Sequence, residues 1–305
     1  MSRRATRSLL LAAMLCMLPL RALAADVAIV ASSDILPYTT CIEGIKEALS
    51  AFALQTTILP EDTEEALDAV REIKDKNPQV MIAVGPQAAF AMAKEQGSPK
   101  RLFCMILNPD KLFAQTRAFP GVSLNISPAF QMQKIRDTLP GRARIGVFYT
   151  REANQAAIDA LAAEAKKNAL TLIPFPMASA GQISTKLESK DFAVDALLII
   201  PDELLGSTKI VEYIIKEALR RKIPVVGYNS WFAKNGAVLA FAVDYKGVGR
   251  QVADLARALL AGGAMEAAAF APPAKIKISI DAKTAEKLGV RLAPAAIQQA
   301  DEVIK

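Results

Sequence analysis

Residues 80–89 read Val-Met-Ile-Ala-Val-Gly-Pro-Gln-Ala-Ala. Five apolar residues in succession, with no polar position among them, describe a strand covered on both faces. Parallel strands sandwiched between helix layers read this way. Gly85-Pro86 then turns the chain, and proline suits the first turn of a helix, so Gln87 to Glu95 is expected to be helical. Ala196-Leu-Leu-Ile-Ile200 repeats the pattern, and Pro201-Asp202 follows it as the turn.

Outward from these two stretches the chain alternates strands and helices. Strands are expected at Asp26–Ala31, Gln55–Leu59, Val80–Val84, Arg101–Leu107 and Gly121–Asn125. Helices fall at Thr40–Phe52, Glu61–Lys76, Gln87–Glu95 and Ala129–Thr138. The cycle restarts with strands at Arg144–Tyr149, Thr171–Pro174, Ala196–Ile200, Pro224–Gly227 and Val238–Val243, and Lys275–Ile280 is the last. Their helices are Ala153–Lys167, Gly181–Ser189, Leu205–Arg221 and Val248–Ala261. Alternating βα units imply right-handed crossovers and open twisted sheets. Two such halves in 305 residues imply an α/β protein of two Rossmann-like lobes, each with its own core.

The N-terminus predicts export. Arg3, Arg4 and Arg7 precede an apolar run from Leu9 to Leu20, and Ala22-Leu23-Ala24 supplies the small residues of a cleavage site. That run of about 12 residues is shorter than the roughly 20 needed to span a bilayer. A lipid anchor at Cys16 would need a small residue before it, but Met14 and Leu15 stand there, and cleavage after Ala24 removes Cys16. The expected product is a soluble periplasmic chain starting at Ala25.

Removing residues 1–24 takes away four arginines and no acids. The 33 basic and 31 acidic side chains that remain carry +2 instead of +6. The basic balance therefore points to neither nucleic acid nor anionic lipid. There is no histidine, which removes the commonest general base and zinc ligand. No metal site or cofactor motif is read. Gly247-Val-Gly249 lacks the third glycine of a dinucleotide fingerprint, and no phosphate loop occurs. Cys41 and Cys104 survive cleavage. They could pair in an oxidising compartment, or lie separately buried as free thiols.

Ligands of open α/β sheets bind beyond the carboxyl ends of the strands. The residues there are Ser32-Ser33-Asp34, Gly85-Pro86-Gln87, Asn108-Pro109-Asp110, Asn125-Ile126-Ser127, Thr150 to Asn154, Pro201-Asp202, Tyr228-Asn229-Ser230 and Asp244-Tyr245. These short hydroxyl, amide and acid side chains lack a nucleophile–base pair, which suits holding a solute. Ser, Asn and Asp are also preferred helix caps and turn formers. Tyr38, Tyr149, Tyr228 and Trp231 fall near strand ends, where a ring could stack on an organic solute or pack internally.

Four segments carry a family resemblance. Arg144-Ile-Gly-Val-Phe-Tyr-Thr-Arg-Glu-Ala-Asn154, Leu197-Leu-Ile-Ile-Pro-Asp202, Ala240-Phe-Ala-Val-Asp-Tyr-Lys-Gly-Val-Gly-Arg-Gln251 and Ile278-Ser-Ile-Asp-Ala-Lys-Thr-Ala-Glu-Lys-Leu-Gly289 resemble ABC-transporter substrate-binding proteins of the tryptophan/tyrosine-transport type. The resemblance implies a type I periplasmic-binding-protein fold, with lobes joined by a three-crossover hinge and a ligand in the interlobe cleft. By analogy the first lobe is residues 25–140 and 244–272, and the second is 141–243 and 273–305. The loop Ser33 to Tyr38, and Asn125 where many members have Asp, depart from the amino-acid-binding pattern. The resemblance thus implies fold and role but not the solute.

The expected ligand contacts are Ser33, Tyr38, Gln87, Asn108 and Asn125 on one side. Tyr149, Asn154, Asp202 and Asn229 face them, with Asp244 at a crossover. Asp202 and Asp244 would accept from a cationic or amine-bearing solute, and the Gly85-Pro86-Gln87 turn would take an anionic end. The expected role is a monomeric, non-enzymatic solute carrier that docks on an ABC permease. The alternatives are a sensory protein read by a membrane receptor kinase and a periplasmic hydrolase.

Overall fold

The computed structural model describes residues 26–97, 99–267 and 269–305. The basic start, apolar run, Cys16 and cleavage site lie outside them. The chain forms two compact units. One runs to Gly121 and includes Val252–Phe270; the other comprises Val122–Gln251 and Ala271–Lys305. The chain thus passes from unit to unit three times. Among the described residues, no helix is long and apolar enough to cross a membrane.

The first unit is built on strands β1 (Val27–Ala31), β2 (Leu54–Ile58), β3 (Val80–Val84), β4 (Lys100–Ile106), β5 (Gly121–Ser123) and β11 (Phe270–Ala271), in the order β11-β5-β4-β3-β1-β2. β1 pairs in parallel with both β2 and β3, and β3 with β4. Every residue of β1 and β3 is buried, as unbroken apolar runs require. Helix α1 occupies Leu36–Ala48 and so begins four residues before the sequence suggests. Pro37 in its first turn explains the early start, because the ring's fixed φ is already helical and its missing N–H would have had no partner. Helix α2 (Thr63–Asp75) opens on Asp62, whose carboxylate accepts from the N–H groups of Glu64 and Glu65. Helix α3 is Pro86–Lys94, and a four-residue helix α4 (Pro109–Leu112) follows β4. The core includes an aromatic nest, with Phe103 5.4–6.2 Å from the rings of Phe113, Phe119 and Phe270. Burying one such side chain contributes roughly 1.5–3 kcal/mol.

The second unit carries helix α5 (Pro128–Thr138), β6 (Arg144–Tyr149), α6 (Arg151–Lys167), β7 (Thr171–Pro176), α7 (Ala180–Glu188) and β8 (Ala196–Leu198). These lead to α8 (Thr208–Arg220), β9 (Val225–Gly227), α9 (Ser230–Lys234), β10 (Leu239–Val243) and α10 (Tyr245–Leu260), the last of which runs on into the first unit. Beyond β11 come β12 (Ile276–Asp281), α11 (Ala282–Leu288), α12 (Pro294–Gln299) and β13 (Glu302–Ile304). The sheet order is β13-β12-β10-β9-β8-β6-β7. Met132, Ile135 and Leu139 of the α5 region pack with Ile145, Val147 and Leu239. This places the segment after β5 with the second unit, where the sequence reading counts it with the first lobe.

The sheets are mostly parallel, with one reversal: β12 runs antiparallel to β10. Lys275–Ile280 is also not the final strand, since β13 pairs in parallel with β12. In each sheet the first strand is flanked by the second and third, giving β2-β1-β3-β4 and β7-β6-β8-β9. The order therefore reverses beside β1 and again beside β6. Such switch points open a crevice at the strands' carboxyl ends.

Candidate ligand site at the strand tips

At the first unit's switch point, Ser32 follows β1 and Gly85 follows β3. The Ser32 N–H donates to the Val84 carbonyl (2.9 Å), and its hydroxyl accepts from the Ala88 N–H (2.9 Å), capping α3 from the neighbouring strand. Gly85 has φ +97°, and a Cβ there would lie 2.7 Å from both Ser32 Oγ and Cζ of Tyr38. Only glycine fits, because the Tyr38 ring lies against its backbone. Burial, and then the nearby Cys104, raise the Tyr38 phenol above its ordinary pKa. Its hydroxyl has no hydrogen bond among the described residues.

The other expected contacts of this unit are spread along the same edge. Ser33 is half-buried beside Ser32. Gln87 donates its amide N–H to the carbonyls of Pro60 (2.9 Å) and Glu61 (3.3 Å), fastening the loop after β2 to α3. Asn108 adopts the left-handed conformation (φ 50°, ψ 58°) ahead of Pro109. The same edge carries four of the five large apolar side chains exposed among the described residues. They are Ile35 (46%) and Leu36 (79%) after β1, Ile58 (48%) ending β2, and Leu107 (44%) after β4.

At the second unit's switch point a polar network joins the tips of β6 and β8. Asp202 Oδ2 accepts from the Thr150 N–H and from Asn154 Nδ2, both at 2.7 Å. Its Oδ1 accepts from the Thr150 hydroxyl (2.8 Å) and the Leu204 N–H (3.0 Å). A carboxylate offers about four acceptor positions, so these donors fill it. Burial pushes the Asp202 carboxyl up, but the donors from Thr150, Asn154 and Leu204 outweigh that and hold it below its usual range. Asn154 is buried and also donates to the Pro201 carbonyl (3.3 Å).

The remaining expected contacts of this unit lie elsewhere. Tyr149 is only 3% exposed; its ring sits in the core and its hydroxyl donates to Gln155 Oε1 (3.0 Å). Asn229 caps α9, accepting from the Trp231 N–H (3.0 Å). Asp244 pairs with Lys277 Nζ (3.4 Å). The half-buried Asn125 donates its backbone N–H to Ser123 Oγ (3.4 Å). Of the expected contacts, then, Asn154 and Asp202 touch directly, and Tyr38 lies against the Gly85 tip.

Sequence reasoning left Tyr228 and Tyr245 outside the site, although Tyr228 directly follows β9 and Tyr245 lies two residues past the end of β10. The two are half-buried neighbours. Burial, and then Tyr245, raise the Tyr228 phenol, and burial raises that of Tyr245. Neither hydroxyl has a hydrogen bond among the described residues. Tyr228 and Trp231 both pack on Phe232, with ring centres 4.7 and 5.4 Å away. The signal was present as two tyrosines at the tips of successive strands. Among the described residues, no group of three His, Cys, Asp or Glu is placed to hold a metal. The tips offer hydroxyls, amides and apolar faces, a chemistry of holding.

The family model of ABC transporter substrate binding proteins matches residues 38–304. The chain belongs to this family. Its family and structural neighbours are binding proteins, and the fold is that of type I periplasmic binding proteins. A tyrosine-binding protein of Clostridioides difficile is 26% identical over 144 residues, covering 47% of this chain and 41% of that one. The chain therefore matches less than half the length of that curated relative. A ligand-free, open substrate-binding protein with adhesive properties from Clostridium difficile superposes with a TM-score of 0.77 at 17% identity. The match covers 92% of this chain and 98% of the other. An L-Trp complex of an ABC domain from Streptococcus pneumonia gives 0.65 at 16% identity, covering 91% and 99%. At these identities the structural likeness establishes the fold.

Proposed function

We propose that this family member is an exported, periplasmic receptor that captures an amino-acid-like solute with an apolar or aromatic body and delivers it to an ABC permease. The observation that carries the solute class is where apolar surface sits. Leu36, Ile35, Ile58 and Leu107 are exposed together on the strand-tip edge of the first sheet. Two half-buried phenols whose hydroxyls make no hydrogen bond among the described residues, Tyr228 and Tyr245, lie near the tips of the second. Large apolar side chains left exposed along one edge of a sheet point to a binding site. The tyrosine- and tryptophan-binding relatives support the amino-acid part of the reading. The contacts are assigned to Ser33, Tyr38, Gln87, Asn108 and Asn125 together with Asn229 and the two phenols. Asn154 and Asp202 hold the second tip in shape. Export rests on the leader Arg3 to Ala24, and the carrier acts as a monomer.

A thermal-shift screen of amino acids and apolar organic acids and amines tests the proposal. A ligand at 100 times its Kd adds about 2.7 kcal/mol of stability. Apolar and aromatic amino acids should raise Tm, while glycine, aspartate and simple sugars leave it unchanged. A shift confined to sugars or to small charged solutes would refute the solute class.

A further inference from the structure

Cys41 lies in α1 and Cys104 in β4, 63 positions apart in sequence. Both are fully buried, and their Sγ atoms are 3.6 Å apart, so that one thiol donates to the other. A disulfide needs the sulfurs at about 2.05 Å, roughly 1.5 Å closer, and turning the two side chains about Cα–Cβ supplies that scale of movement. Both residues belong to the first unit, so the pair joins two elements of one core.

We propose that Cys41 and Cys104 are joined by a disulfide when the chain folds under oxidising conditions, pinning α1 to the sheet beneath the Tyr38 tip. The first thiolate attacks one sulfur of a small-molecule or protein disulfide, forming a mixed disulfide and expelling one thiol. The second thiolate then attacks the protein sulfur of that bond and releases the other thiol. The cysteine pair gives up two protons and two electrons, and the external disulfide becomes two thiols. The reacting species is the thiolate. Burial, together with the bond and charge of Cys41, pushes the Cys104 thiol well up in the folded chain. The exchange therefore belongs to folding, before the core closes, and the redox state adopted then persists. Tyr38 sits one helical turn before Cys41 on α1 and lies against Gly85, whose N–H donates to the Cys104 carbonyl (3.0 Å). The cross-link thus fixes the element that presents the tip.

Occurrence of the bond in the cell rests on the export proposed above; its chemistry does not. The full chain is reduced and unfolded, then refolded with oxidised glutathione, and its free thiols are alkylated in guanidinium before peptide mass mapping. The expected result is a linked Cys41–Cys104 peptide two hydrogens lighter than its reduced parts, with Tm about 5 °C above the reduced form. Glutathione added after reduced folding should link the pair at least ten-fold more slowly. Alkylated or singly glutathionylated Cys41 and Cys104 after oxidative refolding would overturn the proposal. A linked pair after refolding, with free thiols in protein recovered from an exporting cell, would sink the export reading and leave the cross-link standing.

Discussion

At the scale of single residues, Asp202 separates a side chain that binds a solute from one that builds the place where solutes bind. The sequence marks it as a strand-tip acid, and tip acids are natural acceptors for an amine. Its acceptor positions are already filled by Thr150, Asn154 and Leu204. Two of these donors lie about fifty positions back in the chain, and no local pattern announces so long-range a partnership. Asp202→Ala removes the acceptor of the Thr150 N–H and leaves the buried Asn154 amide only its longer bond to the Pro201 carbonyl, which costs about 1–3 kcal/mol at pH 7. The pH dependence follows from the lowered carboxyl pKa. A group depressed on folding stabilises above its unfolded pKa and loses that contribution as pH falls through the folded value. Guanidinium unfolding of parent and variant should therefore differ at pH 7, begin to approach each other only below about pH 4, and come closest once pH has fallen past the lowered folded value. A variant as stable as the parent at pH 7 would remove the network from the frame of the second unit.

Among the elements, the strand tips of the first sheet carry an apolar rim that its core does not need. Leu36 is 79% exposed although it opens a helix, so stability gives it little reason to be leucine. Leu36→Ser should leave Tm within about 1 °C, since exposed substitutions away from special features usually stay within ±0.5 kcal/mol. The same change should weaken binding of the solute found by thermal shift by about 1–2 kcal/mol, or five- to thirty-fold, for the apolar area no longer covered. Calorimetry reads both quantities, and unchanged affinity would take the rim out of the site. The strands themselves were legible because burial on both faces forces runs such as Val80–Val84 to be wholly apolar. The α1 start at Leu36 was missed because Pro37 reads as a turn former as readily as a first-turn residue. β13 was missed because three residues cannot display an alternation, and the reversal of β12 was hidden because strand direction is set by pairing rather than by composition.

For the molecule as a whole, both units repeat one strand order, with a switch point beside the first strand of each. That repetition was legible as two successive βα cycles. Which tip residues keep hydrogen-bonding capacity was not, because it depends on partners such as Gln155 for Tyr149 and Pro60 for Gln87. The proposed function has the solute take contacts from both units, and a receptor needs this if binding is to alter what a membrane partner reads. Tyr38 is the aromatic contact proposed for the first unit and Tyr228 for the second. Tyr38→Ala and Tyr228→Ala should each lower affinity by about 1–3 kcal/mol, five- to 150-fold, through lost ring burial and stacking. The double variant should lose the sum within about 0.5 kcal/mol if the two rings do not touch each other. Titration calorimetry on the parent, both singles and the double, with folding checked by circular dichroism, measures all four constants. If one single variant binds as tightly as the parent while the other fails, the solute belongs to one unit alone.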